Sequence, residues 1–221
     1  AQAVFEEAGI GDYAIQVSSY GSALPMVGVA RRAPPASETA LVFDFGSTRI
    51  KCARAAYKND EVTELRRLPS HPTGWARIEQ ASDDPLQQAD QLLGHVVSVI
   101  TSTWRTAGLS PASPILASVA AYVQDGHPLP ARHHGGYVQL RRITDNLQAE
   151  LAQRVGAELG EAIDVSLVHD GTAAATTYAG VKNAAVITVG TALGVGFPPA
   201  ADGLMGLNTH LAILPPSASL E

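Results

Sequence analysis

The pattern of hydrophobic and polar positions predicts three meandering strands in the first part of the chain. Short apolar runs bounded by turn-forming residues occupy positions 40–48, 51–57 and 62–68. The polar run from Lys58 to Glu61 favours a tight turn between the last two strands. The segment from Pro69 to Pro85, with the turn Pro72-Thr73-Gly74, is predicted to be a loop.

Helical and strand patterns alternate in the rest of the chain. Apolar residues recur at helical spacing between Leu86 and Thr106, after the start signal Asp83-Asp84-Pro85 and before the stop signal Gly108. The later elements are expected to be a strand at 114–123, a helix at 143–159, a strand at 162–168, a short helix at 171–179 and a strand pair at 184–197. This order predicts an α/β domain whose ligand lies at the carboxyl ends of the strands.

Composition and charge narrow the classes of partner. The net charge of −6 and the lack of a basic stripe argue against nucleic acid, and we interpret the isolated pairs Arg31-Arg32, Arg66-Arg67 and Arg141-Arg142 as solvated surface. No apolar stretch approaches the roughly 20 residues that span a bilayer, and no secretory signal is seen. The single cysteine, Cys52, suits a reducing compartment. We therefore expect a cytoplasmic protein without nucleic-acid or membrane partners.

The most informative stretch is an apolar strand that runs into Asp44-Phe45-Gly46-Ser47-Thr48. Small residues let backbone N–H groups approach an oxyanion, and a carboxylate can hold hydrated magnesium. The residues therefore indicate a phosphate-and-magnesium site. A plain turn rich in Asp and Gly is the alternative.

Two later segments have the same character. The first is a strand that runs into His169-Asp170 at the start of a small-residue helix. A carboxylate at this position can accept a proton from a hydroxyl during phosphoryl transfer, although Asp is also a common helix cap. In the second segment, two apolar runs flank a turn with Gly190, Thr191 and Gly194, which is a further candidate phosphate cradle.

The three motifs in this order resemble the acetate/sugar kinase–Hsc70–actin superfamily, and most closely its ROK branch of sugar kinases, over roughly residues 38 to 200. The resemblance implies a ribonuclease-H-like lobe of the actin/hexokinase type, with a mixed five-stranded sheet and flanking helices, and an incomplete second lobe. The lobe would span 37–181, and the second lobe would start at 182–221. A generic βαβ domain is the alternative.

Residues 1–36 resemble the element that closes this fold, with a strand at Ile15–Ser19 and a helix at Gly21–Arg32. A closing helix before the opening strand indicates a circular permutation or a slice of a longer polypeptide. An unrelated N-terminal helix is the alternative.

The resemblance also implies a role for individual residues. Asp170 would be the general base, and Asp44 would hold Mg²⁺ through water. The ATP phosphates would contact two segments. The first loop would contribute Asp44, Gly46, Ser47, Thr48 and Lys51, and the second hairpin would contribute Gly190, Thr191 and Gly194. The substrate would contact His169, where the family usually has Asn, and Gly136 and Tyr137. A solvated strand residue is the alternative for Lys51, and a plain turn is the alternative for Gly136 and Tyr137.

We therefore expect an ATP-dependent phosphotransferase that uses Mg²⁺ and acts on a sugar-like hydroxyl. A homo-oligomer or a second chain that supplies the missing lobe is the expected partner. Ala192 departs from the family's Gly in the second hairpin and costs about 1 kcal/mol if that position needs a positive φ. The alternatives are a non-catalytic ligand- or nucleotide-binding member of the fold and a superfamily ATPase without a sugar substrate.

Overall fold

The computed structural model describes residues 15–129, 135–182, 184–190 and 193–199. In this part of the chain one sheet contains the strands β1 Thr39–Phe45, β2 Arg49–Lys58, β3 Glu61–Pro72, β4 Ile115–Val119 and β7 Val165–His169. Two separate hairpins consist of β5 Val123–Gln124 with β6 His127–Pro128, and of β8 Val186–Val189 with β9 Leu193–Gly196.

The helices of the described residues are α1 Leu24–Ala30, α2 Trp75–Ala81, α3 Pro85–Ala107, α4 Leu147–Leu159 and α5 Asp170–Thr176. Two 3-10 helices cover Gly21–Ala23 and Gly136–Arg142. No helix in the described ranges is long and apolar enough to cross a membrane.

The large sheet has the strand order β3-β2-β1-β4-β7. The first three strands along the chain pair antiparallel, whereas β1, β4 and β7 are parallel neighbours. The predicted fold class, a mixed five-stranded sheet with flanking helices, is confirmed. Because parallel strands end at the same edge, the residues that follow β1, β4 and β7 are brought together there.

Helices cover both faces of this sheet. One core contains the β1 residues Leu41 and Phe43 together with Leu92, Val96 and other apolar residues of α3 and α4. The other core is built from smaller side chains of α1 and α5 against Ala40, Val42 and their neighbours. Burial of apolar area on both faces is the main term that stabilises this three-layer arrangement.

The helices α1 and α5 approach each other very closely. A Cβ atom added to Gly28 of α1 would collide with the backbone carbonyl of Ala173 in α5. At the end of α1, Nη1 of Arg31 donates a hydrogen bond to the carbonyl of Thr177 at 2.6 Å. Glycine is therefore required at position 28 to allow the two backbones to meet.

The sequence signals for α3 are confirmed. Oδ1 of Asp84 accepts a hydrogen bond from the backbone N–H of Leu86 at 2.9 Å, and Gly108 ends the helix with a φ of +64°. The predicted helix at 143–159 starts later, at Leu147, because the side chain of Asn146 caps it by accepting from the N–H of Ala149 at 2.9 Å.

Some predicted elements differ from the structure. The predicted loop from Pro69 to Pro85 is wrong, because β3 continues to Pro72 and α2 follows, with Ile78 only 5% exposed in the core. The predicted strand at 114–123 is shorter and ends at Val119. The expected N-terminal helix contains α1, but no strand is found over Ile15–Ser19, which are described.

Candidate active site

Asp44 lies at the carboxyl end of β1 and is 4% exposed. Lys51 is directly opposite on β2, and Ser118 is directly opposite on β4. Nζ of Lys51 lies 2.7 Å from Oδ2 of Asp44, while Oγ of Ser118 donates to Oδ1 at 2.9 Å. Since each carboxylate oxygen can accept two hydrogen bonds, Asp44 retains acceptor capacity for a further ligand.

The turn between β1 and β2 is the predicted first phosphate loop. Its Gly46 carbonyl accepts from Oγ1 of Thr73 at 2.8 Å and from the hydroxyl of Tyr137 at 3.4 Å. The backbone N–H of Thr73 donates to the carbonyl of Thr48 at 3.1 Å. These bonds hold the loop against the core, whereas the side chains of Ser47 and Thr48 are exposed.

Asp170 is the first residue of α5 and directly follows the end of β7. Its side chain is 28% exposed, and its Oδ1 accepts a hydrogen bond from the backbone N–H of Gly171 at 2.7 Å. Burial and the nearby charge of Asp44 raise the pKa of Asp170 from 3.8 to about 6, against the lowering effects of Gly171 and Lys51. The carboxyl group is therefore a base with its pKa near neutral pH.

His169 lies beside Asp170 and is 5% exposed. Its ring stacks on Tyr122 with centroids 4.5 Å apart. Burial lowers the pKa of His169 to about 4, so the ring is neutral at pH 7. Nε2 lies 3.0 Å from Oδ1 of Asp170, but the geometry is not that of a hydrogen bond, so this buried nitrogen has no hydrogen-bond partner among the described residues.

The hairpin β8–β9, the predicted second phosphate site, lies against α5. A Cβ atom on Gly194 would lie 3.7 Å from Oδ1 of Asp170, and a Cβ atom on Gly196 would collide with the carbonyl of Gly171. Glycine therefore allows this hairpin to reach the carboxylate. Gly190 is exposed in the turn, and Thr191 and Ala192 lie outside the described residues.

Gly136 and Tyr137 lie beside the first phosphate loop. Tyr137 is 3% exposed, and its ring is 6.1 Å from that of Phe45. Burial raises the pKa of the Tyr137 phenol above its usual range, so the hydroxyl remains a donor to Gly46. A Cβ atom on Gly136 would lie 2.7 Å from the ring of Trp75. Their role in binding a substrate stays a prediction.

The sequence interpretation missed three residues of this site, namely Thr73, Ser118 and Tyr122. Ser118 is a polar residue near the end of an apolar strand, which indicates a site residue if β4 is placed beside β1. Thr73 sits in a segment interpreted as a loop, and Tyr122 contacts His169 only through the tertiary fold. Neither has a local signal.

The residues present fit a magnesium ion bound together with phosphates. The described residues contain no group of three or more His, Cys, Asp or Glu that could hold a metal by itself. Mg²⁺ commonly keeps several waters and binds one or two carboxylates plus substrate phosphates. The buried Asp44 and the nearby Asp170, whose charges repel each other, supply such carboxylates.

Comparison with known proteins identifies the fold of this chain. No family model and no curated protein matches this sequence. Among solved structures, hexokinase from Schistosoma mansoni in complex with glucose has a TM-score of 0.50 and 17% identity, covering 88% of this chain and 48% of the hexokinase. The chain thus has the actin/hexokinase-type fold and spans about half the length of that structure.

Two further structures are less similar. The inorganic polyphosphate/ATP-glucomannokinase from Arthrobacter sp. strain KM has a TM-score of 0.44 and 22% identity, covering 72% of this chain and 57% of its own. A Ppx/GppA family protein from Aquifex aeolicus has a TM-score of 0.35 and 14% identity, covering 70% of this chain and 45% of its own.

Proposed function

We propose that this chain carries the phosphate-binding and catalytic part of an ATP-dependent phosphotransferase of the ROK sugar kinase type. The observation that carries the proposal is the pair of carboxylates at the carboxyl edge of the sheet. Asp44 is buried and paired with Lys51, and Asp170 has a pKa raised to about 6 by its burial and by the nearby charge of Asp44. Two carboxylates held in different environments suit two different roles.

Asp170 is the general base in this proposal. It accepts the proton of the acceptor hydroxyl while that oxygen attacks the terminal phosphorus of ATP, and ADP leaves. A pKa of about 6 leaves the carboxyl group mostly ionised at pH 7 and still basic enough to share the proton. The ring of His169 lies 3.0 Å from Oδ1 and is neutral at pH 7, so it adds no positive charge that would lower the basicity of the carboxylate. The acceptor is a sugar-like hydroxyl compound.

Asp44 and the two glycine-containing turns serve the phosphates. The exposed hydroxyls of Ser47 and Thr48 bind phosphate oxygens, and the β8–β9 hairpin, which packs against α5 beside Asp170, is the second phosphate contact. Asp44 would hold Mg²⁺ through water, and the ion would supply positive charge that stabilises the phosphates. Lys51 donates to Oδ2 of Asp44 at 2.7 Å and so fixes this carboxylate beside the phosphates.

The test is the release of ADP by the purified chain with Mg-ATP and a panel of sugars. We expect sugar-dependent release that Asp170→Asn reduces by about 10²–10⁴-fold while Mg-ATP binding is retained. Asp44→Ala should lose Mg-ATP binding itself.

Asp164→Asn is the matched control, because Asp164 is exposed and precedes β7 at its opposite end. Unchanged turnover in Asp170→Asn would overturn the assignment of the base. Release of ADP that does not depend on any sugar would instead indicate an ATPase.

A further inference from the structure

A second concave site lies next to Asp44, on the outer strands of the sheet. Its cavity has a volume of about 270 Å³. We call it the basic pocket and define it by its polar lining residues, which are Ser22, Arg49, Lys51, Arg67 and Ser70. Three of these residues are cationic and none is acidic, although the chain as a whole has a net charge of −6.

A β-bulge shapes this pocket. The register of β2 and β3 shifts between Ile50 and Cys52, so that Lys51 faces two residues of β3, Pro69 and Ser70. Because β3 is an edge strand, it can accommodate a proline at such a position. Bulges re-aim side chains, and this one brings Ser70 to Arg49 of the neighbouring strand.

The polar groups of the pocket have free N–H and O–H donors for a ligand that accepts hydrogen bonds. Nε and Nη2 of Arg49 donate to Oγ of Ser70 at 3.1 and 2.7 Å, which fixes the guanidinium group. Because this oxygen accepts both bonds, the Ser70 hydroxyl hydrogen is left to donate to a ligand. The remaining N–H groups of Arg49 are also donors.

The positive charge of the pocket is largely uncompensated. Lys51 is neutralised by Asp44 at 2.7 Å. Arg49 and Arg67 have no acidic partner among the described residues. Arg67 is directly opposite Ala53, which packs in the core between the sheet and α1. Lys51 and Asp44 lie on this same face of the sheet.

We propose that the basic pocket binds a phosphate group, separately from the loop formed by Gly46, Ser47 and Thr48. Arginine donates paired N–H groups in a geometry that matches phosphate oxygens, and two uncompensated arginines balance the charge of a phosphate dianion. A water molecule takes about 30 Å³ in the liquid, so the pocket holds a phosphate group together with several waters. The ligand is inorganic phosphate or the phosphate end of a small phosphorylated molecule.

The test is a calorimetric titration of the full chain with inorganic phosphate, without nucleotide or magnesium. We expect saturable binding of one phosphate that Arg67→Ala weakens about tenfold or more, as for loss of a charged hydrogen bond. Arg67→Lys should bind with intermediate affinity, because it keeps the charge without the paired donors. Circular dichroism and thermal unfolding of each variant separate loss of binding from loss of folding.

Arg66→Ala is the matched control. Arg66 is exposed and lies opposite Arg54 of β2. Arg54 in turn lies opposite Leu41, which packs in the core between the sheet and α3. Arg66 is therefore on the face of β3 that does not carry Arg67. It should bind phosphate like the unchanged chain. If both alanine variants lose the same phosphate affinity, the loss is due to net charge alone and the proposal is wrong. The proposal is also wrong if the unchanged chain does not bind phosphate.

A second titration distinguishes the two sources of phosphate. A phosphate monoester that binds more tightly than inorganic phosphate, with the same sensitivity to Arg67→Ala, would identify a phosphorylated ligand. Weaker binding of the monoester would identify free phosphate. Neither arm contains ATP or a sugar, so failure of the proposed phosphoryl transfer would leave this result unaffected.

Discussion

The amine of Lys51 and the carboxylate of Asp44 face each other across the β1–β2 pair at 2.7 Å, with the Asp44 side chain only 5% exposed. A carboxylate removed from water in this way needs its partner, since an unpaired buried charge costs several kcal/mol. The register of two strands therefore fixes the charge at the centre of the candidate site.

Replacing Lys51 by Met should destabilise the protein. The substitution leaves Asp44 without its cation, and because Lys51 is 32% exposed we expect a loss of about 1–3 kcal/mol in the free energy of unfolding, less than for a fully buried pair. Urea denaturation at pH 7 measures it. Lys58→Met, at the exposed end of the same strand, is the control and should change stability by less than about 0.5 kcal/mol. Equal losses would contradict the role of the pair.

Replacing Asp170 by Asn should stabilise the protein above pH 6. The folded-state pKa of Asp170 is raised from 3.8 to about 6, so its protonated form favours folding, and this contribution is lost as pH rises between those values. Asn cannot ionise and avoids this cost. We expect a gain of about 1–3 kcal/mol at pH 8, diminishing toward pH 4, in urea denaturation series. A difference that does not vary with pH would show that the gain has another origin.

The rate of phosphoryl transfer should decrease in acid. If Asp170 accepts the substrate proton, only its ionised form is active, and kcat/KM should fall about tenfold for each pH unit below its pKa of about 6. Removing the repulsion from Asp44 with Asp44→Asn should lower the pKa of Asp170 itself, which an NMR titration of its carboxyl group measures without any turnover. A profile that is flat between pH 5 and pH 8 would argue against Asp170 as the base.

Two glycine substitutions should have opposite effects on thermal stability. A methyl group on Gly28 meets the backbone carbonyl of Ala173, which cannot move without shifting α5, so Gly28→Ala should cost about 1–3 kcal/mol or more. Gly94 lies in α3 with no atom near its added Cβ, so Gly94→Ala should stabilise the protein by about 0.5–1 kcal/mol. Differential scanning calorimetry measures both. A gain for both variants would mean that α1 and α5 are not closely packed.

The parts of the fold that the sequence predicts well have local causes. The helix α3 is bounded by Asp84 and Gly108, which act on their own backbone neighbours. The strand before Asp44 is a continuous apolar run, as expected for a strand with both faces covered. Asp44 and Lys51 are separated by one tight turn, so the motif and the pair that it forms belong to the same short segment.

The features that the sequence does not predict depend on distant parts of the chain. The bulge at Pro69 and Ser70 lets β3 continue through a proline that is otherwise typical of a loop. Ser118 reaches Asp44 only because β4 lies beside β1, and Tyr122 reaches His169 only because β4 lies beside β7. The pKa of Asp170 likewise depends on burial and on a carboxylate from another strand.

The packing of α1 on α5 has a consequence for synthesis of the chain. Arg31 and Thr177, which are joined by a hydrogen bond, are 146 positions apart. A ribosome that adds about 5–20 residues per second needs about 7–30 s to cover that distance. During this interval α5 is not yet present to cover the buried residues of α1, which include Leu24, Met26 and Val29. The apolar face of α1 is therefore covered only after nearly the whole described chain has been synthesised.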